Sequence, residues 1–326
     1  MLKIGNGPFF PPSMSPLLIS FIVVIFWIAA FTSTAESSCD DCEETCMNGN
    51  PEIMKLSKAA DDLVSKLNFP SAMERKSEIQ AMKNAHIESR FGLYGEYPFL
   101  SLSTILQQPA VTEAMNRNAA VPPTFVDIGS GPGRLMLGAS VMANWTSVYG
   151  LEGRPELHNN AIDAIRSLER EGTLREGMVH SVSGDFMEES PEVINALSGA
   201  DVIFAYSTCF ENHGDIRLPA LSALLARHLK KGSVVIVVDK FLVGERFQYD
   251  SLYPMQDVDT GEPTVSIVWR VLGEPSRRSL NAEIDTLYNS DSMNVNVCEK
   301  QPKACEELKT KQLSLFGFES MTTGAW

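Results

Sequence analysis

The sequence predicts an α/β protein with a mostly parallel, doubly wound sheet and a helical cap on its N-terminal side. Two observations carry this. Beyond residue 124, short runs of β-branched and aromatic residues alternate with helical patterns, the arrangement that builds a parallel sheet covered on both faces. The second is the stretch TFVDIGSGPGR at 124–134. There Phe125, Val126 and Ile128 suit a buried strand, Asp127 stands at its exit, Gly129, Gly131 and Gly133 form a turn, and a helical pattern starts at Leu135. A strand that runs through a glycine-rich turn into a helix lets a ligand approach the backbone closely.

Residues 17–31 (LLISFIVVIFWIAAF) form an apolar run of fifteen residues whose one polar member is Ser20. A membrane span needs about 20 residues, so the run suits a signal peptide, with small residues at Ser33 and Ala35 for cleavage; an uncleaved anchor is the alternative. Residues 1–35 are therefore read as a signal peptide or signal anchor, which sends the remainder to the secretory pathway: the ER lumen, the outside or a membrane surface. A nuclear location is the alternative if the segment is not used. Residues 36–51 form a Cys-rich acidic linker with Cys39, Cys42 and Cys46. Together with Cys298 and Cys305 these suit disulfides between the tails that leave one odd cysteine, or free thiols, whereas the acidic interior and the lack of a His pair argue against zinc. No metal is expected. Cys209 stands apart.

Residues 52–118 read as the helical cap. Ile53, Leu56, Ala60, Leu63 and Leu67 recur at spacings of three and four, which predicts an amphipathic helix over 52–69 that Pro70 stops. A second helix is expected over about 71–88, an aromatic and glycine-rich turn over 91–97, and a helix over 98–108. The main domain occupies 119–275. After the glycine-rich turn it is expected to continue with a helix over 135–143, a strand over 148–152 and a helix marked by Leu157, Ala161, Ile165 and Leu168. Strands over 178–183 and 202–206, a helix over 218–229, a fully buried strand over 234–238 and a late antiparallel strand over 265–271 complete it. Residues 276–326 form a polar C-terminal tail, and 275–312 read as loop or partly disordered.

The chain of 326 residues carries a formal charge of −14 and shows no cluster of Lys and Arg. That excludes a protein that grips nucleic acid through a basic surface. Neutral or basic partners are expected, with membrane contact only through the N-terminal segment.

The glycine spacing narrows the ligand. A dinucleotide fingerprint needs G-x-G-x-x-G, but Arg134 stands at its third glycine position. The pattern D-x-G-x-G-x-G resembles motif I of class I S-adenosylmethionine (SAM) methyltransferases, which have a Rossmann-like sheet. Ligands in such sheets lie across the carboxyl ends of the strands. Glu152 follows Asp127 by twenty-five residues, at the end of the second strand, where an acid can accept from both ribose hydroxyls. Asp185 is placed to accept from an adenine amine, with Phe186 packing on the ring. The bare backbone from Gly129 to Gly133 can lie close to the methionine part.

The order of motifs is similar to the Dot-one (disruptor of telomeric silencing) type of histone-lysine methyltransferases. The matching pieces are LYGEYPF at 93–99, FVDIGSGPGR at 125–134, YGLEGRPE at 149–156, GDF at 184–186, ADVIFAYSTCF at 200–210, LKKGSVVIVVDKF at 229–241 and VSIVWRVL at 265–272. The resemblance implies SAM-dependent methyl transfer to a protein lysine amine. It implies that Asp127, Gly129, Gly131, Glu152, Asp185 and Phe186 contact SAM, and that Tyr94 and Glu96 help to close the cofactor site. The family's Asn-Asn-Phe-Ala-Phe segment, which lines the lysine channel, corresponds to Tyr206-Ser207-Thr208-Cys209-Phe210, where only Phe210 is kept. Tyr206, Ser207 and Phe210 are thus the candidate catalytic residues.

Two further readings remain. One is a small-molecule O- or N-methyltransferase of the secretory pathway, and the other a catalytically silent SAM-binding module. Glu211 and His213 are candidate bases for an oxygen nucleophile, although a loop histidine without a role is the default. Asn144-Trp145-Thr146 is a glycosylation sequon if the chain enters a lumen, and it falls on the edge opposite the ligand.

Overall fold

A computed structural model describes residues 50–71, 73–75, 77, 95–210, 217–257 and 263–289. The chain separates into two units, Met1–Pro51 and Glu52–Trp326. The apolar run, its cleavage site, the five tail cysteines, most of the helix expected over 71–88, Tyr94, Glu211 and His213 lie outside the described residues. Among the described residues no helix is long and apolar enough to cross a membrane.

The cap begins with α1 (Pro51–Val64), whose Ile53, Ala60 and Leu63 form its buried stripe. It ends six residues before Pro70, as the amides of Lys66 and Leu67 close short turns onto the carbonyls of Leu63 and Val64. Next come α2 (Phe99–Leu106) and α3 (Pro109–Asn116). The expected single helix over 98–108 is thus followed by a second, which starts with Pro109 at a helical first turn that suits proline.

The main domain runs β1 (Thr124–Ile128), α4 (Arg134–Ser140), β2 (Ser147–Glu152), α5 (Pro155–Arg170), β3 (Val179–Ser183), α6 (Pro191–Gly199), β4 (Val202–Ala205), α7 (Pro219–His228), β5 (Val234–Val238), β6 (Phe247–Gln256), β7 (Pro263–Val271) and α8 (Leu280–Asn289). Its seven strands lie in the order β3-β2-β1-β4-β5-β7-β6. The first five are parallel, and β7 is antiparallel to both β5 and β6.

Side-chain alternation splits the core between the two faces. Phe125, Val202, Phe204, Val234 and Ile236 pack with α1 to α5 on one side. Val126, Ile128, Ile203, Val235 and Val237 pack with α6 and α7 on the other. Both faces being covered explains why β5 reads VVIVV with every residue buried. Each fully buried aliphatic side chain contributes about 1.5–3 kcal/mol.

Three elements depart from the expectations. Helix α6 begins with Ser190, whose hydroxyl accepts from the Val193 amide at 3.3 Å, followed by Pro191. Strand β6 has its register shifted by a bulge between Tyr249 and Ser251, which blurs its period-two pattern. Helix α8 occupies part of the stretch expected to be loop or tail. It is held because Leu287 packs with Ala223 and Val243, and Glu283, buried, accepts from the Ser276 hydroxyl at 2.6 Å.

The path from β1 through β2 to β3 moves outward, and the chain then returns to place β4 against the other side of β1. The sheet therefore has its topological switch point between β1 and β4, where open α/β sheets leave a crevice at the carboxyl ends.

Candidate active site

A cleft lies at that switch point. Its walls include Glu96, Tyr97, Asp127, Gly129, Phe204 and Tyr206.

The glycine-rich turn forms its floor. Gly129, Gly131 and Gly133 all have left-handed backbone, with φ of 76°, 57° and 92°. Side chains rarely adopt that conformation, so glycine is required. The Gly129 and Ser130 amides donate to the Leu151 carbonyl at 2.8 and 3.2 Å, and the Gly131 amide donates to Glu152 Oε2 at 2.7 Å. These donors tie the turn to β2 rather than facing a ligand. What the turn offers instead is bare Cα surface. A Cβ on Gly133 would come within 3.1 Å of Ala161 Cβ, so the third glycine serves the packing of α4 on α5.

Two carboxyls meet behind the turn. Asp127 is 3% exposed, and its Oδ2 has no hydrogen-bond partner among the described residues. Burial, and then the charge of Glu152, push its pKa well above the ordinary carboxylate range. Glu152 is raised by burial against the opposing effect of two backbone donors, Gly131 and Arg154, the latter at 2.7 Å. Each of its oxygens keeps a second lone pair for another hydrogen bond. This is a pocket wall that gains from a cation or hydroxyl placed against it.

At the end of β3, Asp185 Oδ1 accepts from the Met187 amide at 2.9 Å and so caps the 3₁₀ turn Phe186–Glu188. Phe186 stacks on Phe210 with ring centroids 5.8 Å apart, and the Phe210 ring lies 3.5 Å from where a Gly129 Cβ would stand. Phe186, Phe210 and Gly129 thus form one continuous apolar surface.

The wall from the cap is ionic. Glu96, 7% exposed, pairs with Arg75 at 2.7 Å and with Arg134 Nε at 3.3 Å. Arg134 also donates to the Tyr97 carbonyl at 3.2 Å and lies 4.1 Å over the Phe99 ring. Glu96 therefore lines the cleft while anchoring two arginines. Sequence reasoning noticed Arg134 only as a missing glycine. A signal was present, because an arginine in the first turn opposes the helix dipole and needs nearby acids.

Of the three catalytic candidates, Tyr206 and Phe210 face this region and Ser207 does not. The Tyr206 hydroxyl donates to Asp257, and its ring stands edge-on to Tyr97 at 5.9 Å. Ser207 is fully buried, donating to the Val238 carbonyl at 2.7 Å and accepting from the Val238 amide at 3.0 Å. It joins the ends of β4 and β5. Asp239, passed over in the sequence, follows β5 in left-handed backbone with φ of 58°, and its Oδ1 accepts from the Val265 amide at 2.7 Å. Burial, opposed by that hydrogen bond and reinforced by Asp257, lifts its pKa to about 6.

The sequence matches the family model described as Histone methylation protein DOT1 over residues 78–258. No curated protein matches it significantly. Among solved structures it is similar to an RNA methyltransferase from Salinibacter ruber in complex with S-adenosyl-L-homocysteine, with 21% identity, a TM-score of 0.32, and 53% of this chain and 97% of that chain covered. A putative RNA methyltransferase from Pyrococcus horikoshii shows 14% identity and a TM-score of 0.42 over 68% of this chain and 100% of that one. Aeropyrum pernix fibrillarin with bound S-adenosyl-L-methionine shows 13% identity and a TM-score of 0.33 over 45% and 66%. With more than half of its length inside the family match, the chain belongs to the DOT1 histone methylation family and is a SAM-dependent methyltransferase.

Proposed function

We propose that the protein methylates a lysine side-chain amine of a protein partner. The observation that carries this reading is the part of the cleft wall where the Tyr206 hydroxyl meets Asp257 beside the rings of Tyr97 and Phe204. Aromatic faces with a carboxylate behind them suit an aliphatic amine.

When bound, SAM supplies a methyl group already activated on a sulfonium. In this reading Asp185 and Phe186 hold the adenine, Glu152 the ribose hydroxyls, and Asp127 with the Gly129 surface the cationic methionine part. A lysine amine has an unperturbed pKa of about 10.4 and must lose its proton before it can attack. Desolvation beside Tyr206 and the adjacent sulfonium both disfavour the ammonium form. Tyr206 is then positioned to accept a hydrogen bond from the amine, while Asp257 holds the phenol in place.

Incubation with methyl-labelled SAM and a mixture of histones and other basic proteins tests the reading. Label is expected in methyl-lysine after acid hydrolysis. Label found only in a small-molecule extract, or tight SAM binding without transfer, would refute it.

We also propose that the chain works in the secretory pathway. The apolar run at 17–31 supports this, as does the exposure of Asn144, whose sequon lies on the connection between α4 and β2, away from the cleft. Glycosidase treatment should increase mobility, and fractionation with nuclei would count against the proposal.

A further inference from the structure

We infer that Glu189 is a positioning residue of the cofactor site, bracing the Asp185–Phe186 turn from behind. The inference rests on the reading of Asp185 and Phe186 as adenine contacts.

Glu189 directly follows the Phe186–Glu188 turn and has left-handed backbone with φ of 51°. A residue with a Cβ rarely adopts this conformation, so the surroundings must hold it there. Its carboxylate does so. Glu189 Oε1 accepts from Arg227 Nε at 2.9 Å and lies 2.5 Å from His228 Nε2. Both partners stand on the last turn of α7, where the helix dipole favours cations. All three side chains are at most 20% exposed, which protects the pairs from screening by solvent. Arg227 is held from its other side by the Arg278 carbonyl.

The turn is therefore pinned twice. Asp185 caps its front through the Met187 amide, and Glu189 fastens its back to α7. Between them Phe186 packs against the core shared with α6 and α7, in stacking contact with Phe210. Releasing the rear pin lets Phe186 and Asp185 move away from the position at which both can meet one adenine.

Calorimetric titration of the full chain tests this with two ligands, SAM and 5′-methylthioadenosine, which keeps the adenosine but lacks the amino acid. Glu189→Ala is expected to weaken both by the same factor, about tenfold, the equivalent of one charge-assisted hydrogen bond, with the number of sites unchanged. Glu189→Gln keeps an acceptor for Arg227 and should lose less. The proposal is overturned if Glu189→Ala binds both ligands as tightly as the unaltered protein while Asp185→Asn binds them weakly. It is also overturned if affinity is kept and only the number of sites falls, because that is a folding defect, or if the loss is confined to SAM. Unchanged binding by Asp185→Asn would instead remove the underlying reading of the turn.

Discussion

Glu96 and Arg134 form an ion pair at 3.3 Å, and through it the segment before α2 is fastened to the first residue of the helix that follows the glycine-rich turn. The same carboxylate holds Arg75 at 2.7 Å, so one buried acid pairs with two guanidiniums. The cap and the cofactor floor are therefore mechanically joined. Whatever loosens Glu96 should be felt both in stability and in SAM binding.

Glu96→Gln removes the buried charge with which Arg75, 3% exposed, and Arg134 both pair. Removing one member of a buried ion pair costs about 3–5 kcal/mol, because the remaining charge stays desolvated. Urea denaturation should show a loss in that range, together with weaker SAM binding. A loss below about 1 kcal/mol, the level of a surface pair, would show that the network is solvated.

Packing on the other side of Arg134 gives a second expectation. A Cβ on Gly138 would stand 2.2 Å from Phe99 Cε1, and Phe99 is the ring beneath the Arg134 guanidinium. Gly138→Ala must therefore displace a buried ring, at a cost of about 1–3 kcal/mol even though alanine is the better helix former. A neutral or higher melting temperature would show that Phe99 moves without cost.

Much of this site was legible in the sequence. Asp127, Glu152 and Asp185 could be placed at strand ends because short strand patterns alternate with helical ones and run into turns, even though β2 (SVYGLE) and β3 (VHSVS) are of mixed composition. What escaped depended on tertiary partners. Ser207 belongs to a segment that resemblance marked as a channel wall, yet its hydroxyl is used up by Val238. Asp239 follows the hydrophobic run of β5 and reads as a solvated loop acid; only the folding of β7 beside it buries the group. Helix α8 was masked by its polar composition, since its burial rests on few residues such as Leu287. Helix α6 has a readable start in Ser190 and Pro191.

Tyr206→Phe separates chemistry from packing. The ring remains beneath Gly95 and against Tyr97, and only the hydroxyl directed at Asp257 is removed. If this hydroxyl manages the acceptor's proton, the transfer rate should fall about a hundredfold, the lower end of acid–base contributions, with SAM affinity unchanged. Equal losses in rate and SAM affinity would assign Tyr206 to the cofactor instead.

Asp239 predicts a pH dependence of stability. Its carboxyl is raised from 3.8 to about 6 by burial, so between those values the folded state holds a proton that the unfolded state has released. Stability then falls as pH rises through this window and levels off above about 6, with a loss of about 3 kcal/mol at most. Asp239→Asn keeps an oxygen for the Val265 amide and tolerates left-handed backbone, so it should flatten the slope and be more stable than the unaltered protein at neutral pH. Denaturation midpoints measured across the window decide this. A slope unchanged by the substitution would assign it to other carboxyls.

Asp127 predicts a proton linked to cofactor binding. In the ligand-free protein its pKa is raised by burial and by Glu152, so the neutral form persists to higher pH than for an ordinary carboxyl. A cation placed against Oδ2 reverses this balance, because an opposite charge within a few ångströms favours the ionised form. SAM binding should therefore release a proton, and affinity should rise with pH until Asp127 is ionised before SAM binds. Below the pKa that Asp127 has with SAM bound, both states stay protonated, and the pH dependence levels off. Titration calorimetry in buffers of different ionisation enthalpy measures the released proton directly. Asp127→Asn should abolish the release and the pH slope together. Glu152→Gln tests the cause, since removing the neighbouring charge lowers the Asp127 pKa and moves the slope to lower pH without abolishing it. Proton release that survives in Asp127→Asn would place the titrating group elsewhere in the cleft.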